Sequence, residues 1–516
     1  MAVVLIKEGT TSSPVSLDGE HLSVEEVVRV ARYQATTRLS PEGRRRMERS
    51  WRMVEELVSA NRVVYGITTG FGKFSNVTIS EEDTDRLQRN LIMSHAGGVG
   101  DPYEVEVVRA IMLLRANSLA KGYSGIRPEV VETLLDMLNK GVHPVVPQKG
   151  SVGASGDLAP LSHVALVMIG LGEAYFRGER MSGARAMEMA GIQPVQLKAK
   201  EGLALINGTQ VMGALASLGV HDAQLTWKSA TIAAALSVEA LNGIPAAFDE
   251  KIHRVRPHQG QSKTAAFLRR LLEGGEVASR SIHPRVQDAY SLRCIPQVHG
   301  ASLDAINYVK TVVEVENNSA TDNPLLFPEE GEVLSGGNFH GQPLALGMDF
   351  LGIAVAELGS ISERRIERMV NPQLSGLPAF LTLNGGLNSG MMIGQYTAAA
   401  LVSENKVLAS PACVDSIPTS ANQEDHVSMG SISSRKAREI IKNVQQVIAI
   451  ELLGAAQGID LYGPRQLGKG TGRAHEVIRL VVPALGEDRV LYPDLQKALS
   501  IVRDGTLAAA VEEALD

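Results

Sequence analysis

The chain has 516 residues, with 50 Lys and Arg against 57 Asp and Glu for a formal net charge of −7. That balance argues against a broad nucleic-acid or anionic-membrane surface, which rests on clustered excess cations. Hydrophobic residues at 44% exclude wholesale disorder, and aromatics at only 4% leave the core to Ala, Leu, Ile, Val and Met, which favours close-packed helices over aromatic-rich sandwiches.

The first apolar run, residues 2–6, is closed by Lys7. A secretory hydrophobic region is longer and is preceded by its positive charge. Ser23 with Glu26 is a capping-box signature, and Val27, Val28, Val30 and Ala31 follow at helical spacing. Ser80 ahead of Glu81, Glu82 and Asp83 predicts a second helix start. Asp157-Leu158-Ala159-Pro160 predicts a third, running to about Leu171. The stretches 209–245 and 350–371 read as long helices in which Ala and Gly allow close approach. From Ser434 to Gln457, apolar residues recur at Ala437, Ile440, Ile441, Val444, Ile448, Leu452 and Ala455, a 3.6-residue stripe roughly 36 Å long.

No stretch approaches about 18 uninterrupted apolar residues; the nearest, 165–172, stops at Glu173. Two cysteines, Cys294 and Cys413, are too few for a disulfide framework or a four-thiolate metal site, which points to the cytoplasm. The expected class is mainly α, a long-helix bundle with a smaller mixed N-terminal part. The expected division is 1–205, carrying the Tyr65 loop and the Ala154-Ser155-Gly156 tripeptide, and 206–516, the central and C-terminal bundle.

Three glycine-rich loops hold the unusual residues. In the first, Tyr65-Gly66 through Gly72-Lys73, the glycine spacing is wrong for a phosphate-binding loop and Phe74 stands where its Mg²⁺-binding hydroxyl belongs. A flexible loop carrying one tyrosine remains. The second, Gly150 to Asp157, has neither the frame of a nucleophile elbow nor that of a dinucleotide fingerprint, and it leads into a helix whose positive end points back at it. The third, Asn207-Gly208-Thr209, precedes a long apolar helix, and Asn207 reads in isolation as its N-cap.

Taken in order, YGITTGFG at 65–72, GSVGASGDLAPLSH at 150–163, NGT at 207–209, VQDAYSLRCIPQVHG at 286–300, ENNSATDNP at 316–324, SGGNFHG at 335–341 and NQEDHVSMG at 422–430 resemble the histidine and phenylalanine ammonia-lyase family. The resemblance spans nearly the whole chain and implies the ammonia-lyase and fumarase–aspartase type of helical architecture. It implies that Ala154, Ser155 and Gly156 cyclise by themselves into 4-methylideneimidazol-5-one (MIO), with no dissociable cofactor and no metal. Gly lacks a Cβ, so its nitrogen can approach a carbonyl two residues back, and Ser supplies the hydroxyl lost in dehydration. By the same resemblance Tyr65 takes the β-proton, Arg293 clamps the substrate carboxylate as a bidentate pair, and Tyr290 belongs to the catalytic set. Asn207, Gln287 and Phe339 line the ring and the substrate. The family is homotetrameric, with each active site drawn from three subunits.

Ring selectivity turns on two positions. Ser94-His95 matches the histidine-specific pattern, and an imidazole can donate to or accept from a substrate imidazole where Leu could do neither. Glu424, which the resemblance also places in the catalytic set, either binding the imidazole or transferring a proton, stands where phenylalanine enzymes carry an amide; a carboxylate suits an imidazole N–H and would be unpaired against a phenyl ring. The implied reaction is elimination of ammonia from L-histidine to trans-urocanate, a step of histidine catabolism. The alternatives are a tyrosine or phenylalanine ammonia-lyase, an MIO-dependent aminomutase, or a non-catalytic scaffold that keeps the fold.

Overall fold

A computed structural model describes residues 13–60, 62–64, 66–67, 69, 81–280 and 285–516, and helices dominate it. The predicted capping box closes at the head of the Val24–Tyr33 helix. The Ser23 hydroxyl accepts the Glu26 N–H at 3.2 Å, and the Glu26 carboxylate accepts the Ser23 N–H at 3.0 Å. The predicted start at Ser80 and the apolar run 2–6 lie outside the described residues; the helix is described from Glu81 to His95.

The long helices are Gln210–Ala240, Ile295–Asn317, Gln342–Val370 and Gly430–Asp460. The third begins eight residues before the stretch the sequence marked. Pro343 sits in its first turn, where a missing N–H costs nothing, and Leu344, Met348 and Leu351 already follow the buried stripe. The helix predicted to run to Leu171 stops at Met168 instead, because Gly170 and Gly172 take positive φ (76° and 64°) and turn the chain into a strand.

That strand, Glu173–Phe176, is the middle of a three-stranded antiparallel sheet with Val142–Pro144 and Glu179–Ser182. A parallel pair, Val15–Leu17 with Thr37–Leu39, and an antiparallel pair, Val99–Pro102 with Pro147–Lys149, complete the mixed N-terminal part. A short hairpin, Leu325–Phe327 with Glu332–Leu334, lies between two of the long helices.

Two hydrophobic cores meet along Gln210–Ala240. Val211, Ala214, Leu215 and Leu218 pack into the N-terminal core, while Met212, Ala216, Val220 and Ala223 pack into the bundle. A helix apolar on every face has to be enclosed on every face. Against it lie Gln342–Val370 and Gly430–Asp460, whose mutual approach depends on small residues. A Cβ at Gly352 would stand 3.1 Å from Ile440, and one at Gly359 would stand 3.0 Å from Val444.

Further along the bundle, Arg365 and Glu451 form a fully buried ion pair, with Nη2 donating to Oε2 at 2.9 Å. The Ser237 and Ser362 hydroxyls donate to the same carboxylate, so one acid ties three helices together. By length and composition Gln342–Val370 is apolar enough to cross a membrane, more so than the stretch 165–172 that the sequence singled out. However, 67% of its most apolar window is buried against its neighbours, as in a bundle core.

His143 accepts a hydrogen bond from the Arg109 guanidinium at 3.1 Å. Burial, and then the Arg109 charge, hold its pKa down at about 4. An unfolded histidine titrates near ~6.5, so on acidification the unfolded chain binds the proton first and the native state loses stability between about pH 6.5 and about pH 4. His143→Gln keeps a hydrogen-bond acceptor and removes the titration. It should flatten the pH dependence of the urea midpoint in that window, by up to ~3 kcal/mol at the acid end. An unchanged slope would show that His143 titrates normally.

Candidate active site

The turn at 150–157 is held in a conformation that ordinary residues avoid. Gly153 and Gly156 take φ of 70° and 69°, and Ser155 between them takes 33°, in the left-handed region that disfavours any side chain. A Cβ at Gly156 would collide with the Gly208 carbonyl, which also accepts the Asp157 N–H at 2.7 Å. Only glycine fits at 156.

Partners far away in sequence fix the turn. The Gly153 carbonyl accepts from Ser428 Oγ at 2.8 Å and from the Gly341 N–H at 3.0 Å, and the Val152 carbonyl accepts from the Met429 N–H at 2.8 Å. Asp157, fully buried, accepts the Val211 and Met212 N–H groups on one oxygen, at 3.0 and 2.9 Å, and the Ser151 and Ser431 hydroxyls on the other, both at 2.9 Å. Burial raises its pKa, and these donors oppose the rise. The helices Leu158–Met168, Gln210–Ala240, Gln342–Val370 and Gly430–Asp460 therefore all begin at or beside this turn. Their N-terminal N–H groups and dipoles favour negative charge there.

Asn207 is not the N-cap that its position before a long helix suggested. It closes the short Glu201–Ile206 helix, donating its N–H to the Leu203 carbonyl at 2.9 Å. The Asp157 carboxylate takes the first free N–H groups of Gln210–Ala240 instead. Asn207 is 5% exposed, and its side-chain Oδ1 is buried with no partner. Its backbone carbonyl is held by Arg115, whose Nη1 donates to it at 2.8 Å and to Gln210 Oε1 at 2.6 Å. Burial lowers the Arg115 pKa only to about 10, so it stays charged at neutral pH.

Glu424 reaches Ser155, whose Oγ donates to Oε1 at 2.7 Å. Thr419 Oγ1 donates to the other carboxylate oxygen at 2.8 Å. His95, the last residue of its helix, donates Nδ1–H to the Leu91 carbonyl at 2.9 Å; since a carbonyl only accepts, Nε2 carries the lone pair. Burial pushes the His95 pKa down, and the nearby charge of Glu424 partly opposes this, so the ring is neutral at physiological pH.

The structure thus brings together Ala154, Ser155, Gly156, Asn207 and Glu424, with His95 close enough to feel the Glu424 charge. The segment carrying the half-buried Phe339 is tied nearby. Gly341 bonds Gly153, and His340 Nε2 donates to the His426 carbonyl at 3.1 Å with the two imidazoles stacked. Gln287, Tyr290 and Arg293 are elsewhere. Tyr290 is 70% exposed and lies over the Arg293 guanidinium, 4.5 Å away. Their short helix is linked to Arg365 through the Ser291 carbonyl. Arg365 stands 23 residues along a helix whose start adjoins the turn, which is roughly 35 Å. Tyr65 lies outside the described residues.

The residues a ring formed at 154–156 would need are in place: a small side chain at Ala154, a hydroxyl at Ser155, a glycine nitrogen at 156 and an unpaired acceptor at Asn207. Among the described residues no group of three or more His, Cys, Asp or Glu could hold a metal ion. Sequence reasoning treated Asp157 only as a helix start and passed over Thr419, Ser428 and Arg115. Asp157 carried a signal, an acid immediately after the tripeptide, but its partners at 211, 212 and 431 leave no local trace.

The architecture is that of the ammonia-lyases and aminomutases. A crystal structure of histidine ammonia-lyase from Trypanosoma cruzi superposes with a TM-score of 0.91 at 45% identity, covering 97% of this chain and 96% of that one. Tyrosine aminomutase from Streptomyces globisporus superposes with a TM-score of 0.93 at 40% identity, covering 97% and 99%. The sequence model of the aromatic amino acid lyase family matches residues 22–480, and the histidine ammonia-lyase of Alkaliphilus oremlandii is 61% identical over 502 residues, 97% of this chain and 99% of that relative. The chain belongs to the aromatic amino acid lyase family.

Replacing Asp157 with Asn puts an NH₂ group among donors that all need an acceptor. The Asp157→Asn protein should lose at least ~2 kcal/mol of stability, read as a lower urea midpoint by circular dichroism. A midpoint equal to wild type would show that the four hydrogen bonds contribute little.

Proposed function

We propose that this chain eliminates ammonia from L-histidine non-oxidatively, giving trans-urocanate, with Ala154, Ser155 and Gly156 forming its MIO electrophile. The observation that carries the reading is the neutral His95 and the Glu424 carboxylate beside Ser155. MIO supplies an electron-poor alkene that engages the substrate amine and makes ammonia a better leaving group. Four helix N-termini favour negative charge developing at the turn, by ~0.3–1 kcal/mol each. Asn207 has a spare buried acceptor for an N–H. His95 Nε2 and the Glu424 carboxylate can each accept an imidazole N–H; a phenyl ring has no donor to offer and would leave them unpaired, at ~1–3 kcal/mol per group. Tyr65 is the base for the β-proton.

Gln287, Tyr290 and Arg293 cannot reach Ser155 within one chain, and in this reading neighbouring copies supply them in a cytoplasmic homotetramer. The separation along the bundle supports this. So does an apolar surface on two adjacent helices, where Tyr308, Val315, Leu346, Phe350 and Ile353 are all substantially exposed. The two cysteines are unpaired, as a reducing compartment would leave them.

The purified protein should release urocanate, followed by its ultraviolet absorbance, from L-histidine, and no coumarate or cinnamate from L-tyrosine or L-phenylalanine. Coumarate or cinnamate would overturn the substrate, and a β-amino acid product would identify a mutase. Coexpression of two inactive variants, Ser155→Ala and Arg293→Ala, should restore part of the activity, because some sites in mixed assemblies receive both intact residues. No recovery would confine each site to one chain.

A further inference from the structure

Arg115, in the helix Val105–Ala120, is a buried cation that uses only part of itself. It is 1% exposed, and Nη1 alone makes its hydrogen bonds, to the Asn207 carbonyl at 2.8 Å and to Gln210 Oε1 at 2.6 Å. Nε and Nη2 are buried without a partner. Stranding donors of a charged group costs stability, so the placement has another reason. What the guanidinium holds is the Asn207-Gly208 peptide. A Cβ at Gly208 would stand 2.2 Å from Nη1, so Arg115 fills the space that a side chain at 208 would need. Gly208 pairs with Gly156 as an isolated parallel bridge, and its carbonyl accepts the Asp157 N–H at 2.7 Å. Behind the guanidinium, Gln210 Nε2 donates to Thr321 Oγ1 at 2.8 Å, and Asp322, paired with the fully buried Lys200 at 2.6 Å, supplies an opposing charge. The Asn207 side chain takes no part in this. Its Oδ1 stays unpartnered, and so do the free N–H groups of Arg115.

We infer that Arg115 is a positioning residue for the reaction: by gripping the backbone of Asn207 rather than its side chain, it keeps the Asn207 amide free and turned toward the tripeptide. The inference rests on the MIO reading above, in which Asn207 lines the ring. Arg115 itself touches neither ring nor substrate. Its effect passes through one peptide, which the Gly156–Gly208 bridge sets beside the tripeptide. Without the guanidinium the Asn207 carbonyl would be a buried acceptor with no donor. The peptide would then reorient to find one, and the amide would move with it. A displacement of about 1 Å at a group that orients the reacting atoms is enough to slow turnover strongly while the fold survives.

The test compares wild type, Arg115→Met, Arg115→Lys, Asn207→Ala and the double variant of Arg115→Met with Asn207→Ala, each checked for folding by circular dichroism. The peptide containing residues 154–156 should be lighter by two waters in all of them. For urocanate release from L-histidine, kcat should fall about 10²-fold in Arg115→Met with KM little changed. It should fall less in Arg115→Lys, which keeps the charge and a donor. In the Asn207→Ala background, Arg115→Met should cost almost nothing more, because both changes remove the same contact. The near-ultraviolet band of the ring, taken as the difference from Ser155→Ala, should shift alike in both single variants and no further in the double. A full further loss of kcat in the double variant, a wild-type kcat in Arg115→Met, a band that moves in only one single variant, or an Arg115→Met chain that keeps its waters would each overturn the inference. Should Arg115→Met fail to fold, Gln210→Leu, which removes the second acceptor of Nη1, takes its place under the same criteria. A wild-type chain that retains both waters would sink the MIO reading itself, and this inference with it.

Discussion

Much of this structure converges on the buried carboxylate of Asp157. One buried carboxylate accepts from the start of Gln210–Ala240 and from serines at 151 and 431, and its own N–H binds Gly208. A desolvated charge has to be compensated, and here the compensation comes from elements that would otherwise be independent. The N-terminal part, the central helix and the C-terminal helix are pinned to a single point, and the strained turn at Ser155 lies next to it. Strain of this kind persists only where the surroundings over-determine it.

The central helix shows how the same arrangement serves packing. Because Gln210–Ala240 contributes to both hydrophobic cores, its first turn cannot shift without disturbing each of them. The site therefore sits on an element with little room to shift. The buried Arg365–Glu451 pair has a similar place at the other end of the bundle, where the Tyr290 helix attaches. Both ends are locked by a charge that would be costly to strand.

Local grammar in the sequence was enough for the capping box at Ser23 and for the stripe that became Gly430–Asp460, since both rest on contacts within a few residues. It misplaced the start of Gln342–Val370, where Pro343 looks like a break, and it took Asn207 for a cap when an acid 50 residues earlier does that work. The tripeptide stood out as a glycine-rich oddity, but its chemistry was reached only through the resemblance. His95 and Glu424 are 329 positions apart, and no periodicity connects them. Nor could the sequence reveal that Tyr290 and Arg293 lie a helix length away from Ser155. That fact is topological, and motifs in register along a chain say nothing about distances between them.

The order in which the chain is made gives the Asp157 contact another meaning. A nascent chain that has emerged as far as residue 400 has its turn, Ser151 and the start of the central helix, but it has neither Ser431 nor Glu424 to bring to them. Half of the Asp157 donors on one oxygen, and the Glu424 carboxyl that touches Ser155, arrive only with residues 424–431. Contacts closed across some 270 residues form late in folding. The turn is thereby left without these contacts until residues 424–431 have emerged, so a fragment that ends before them cannot assemble it.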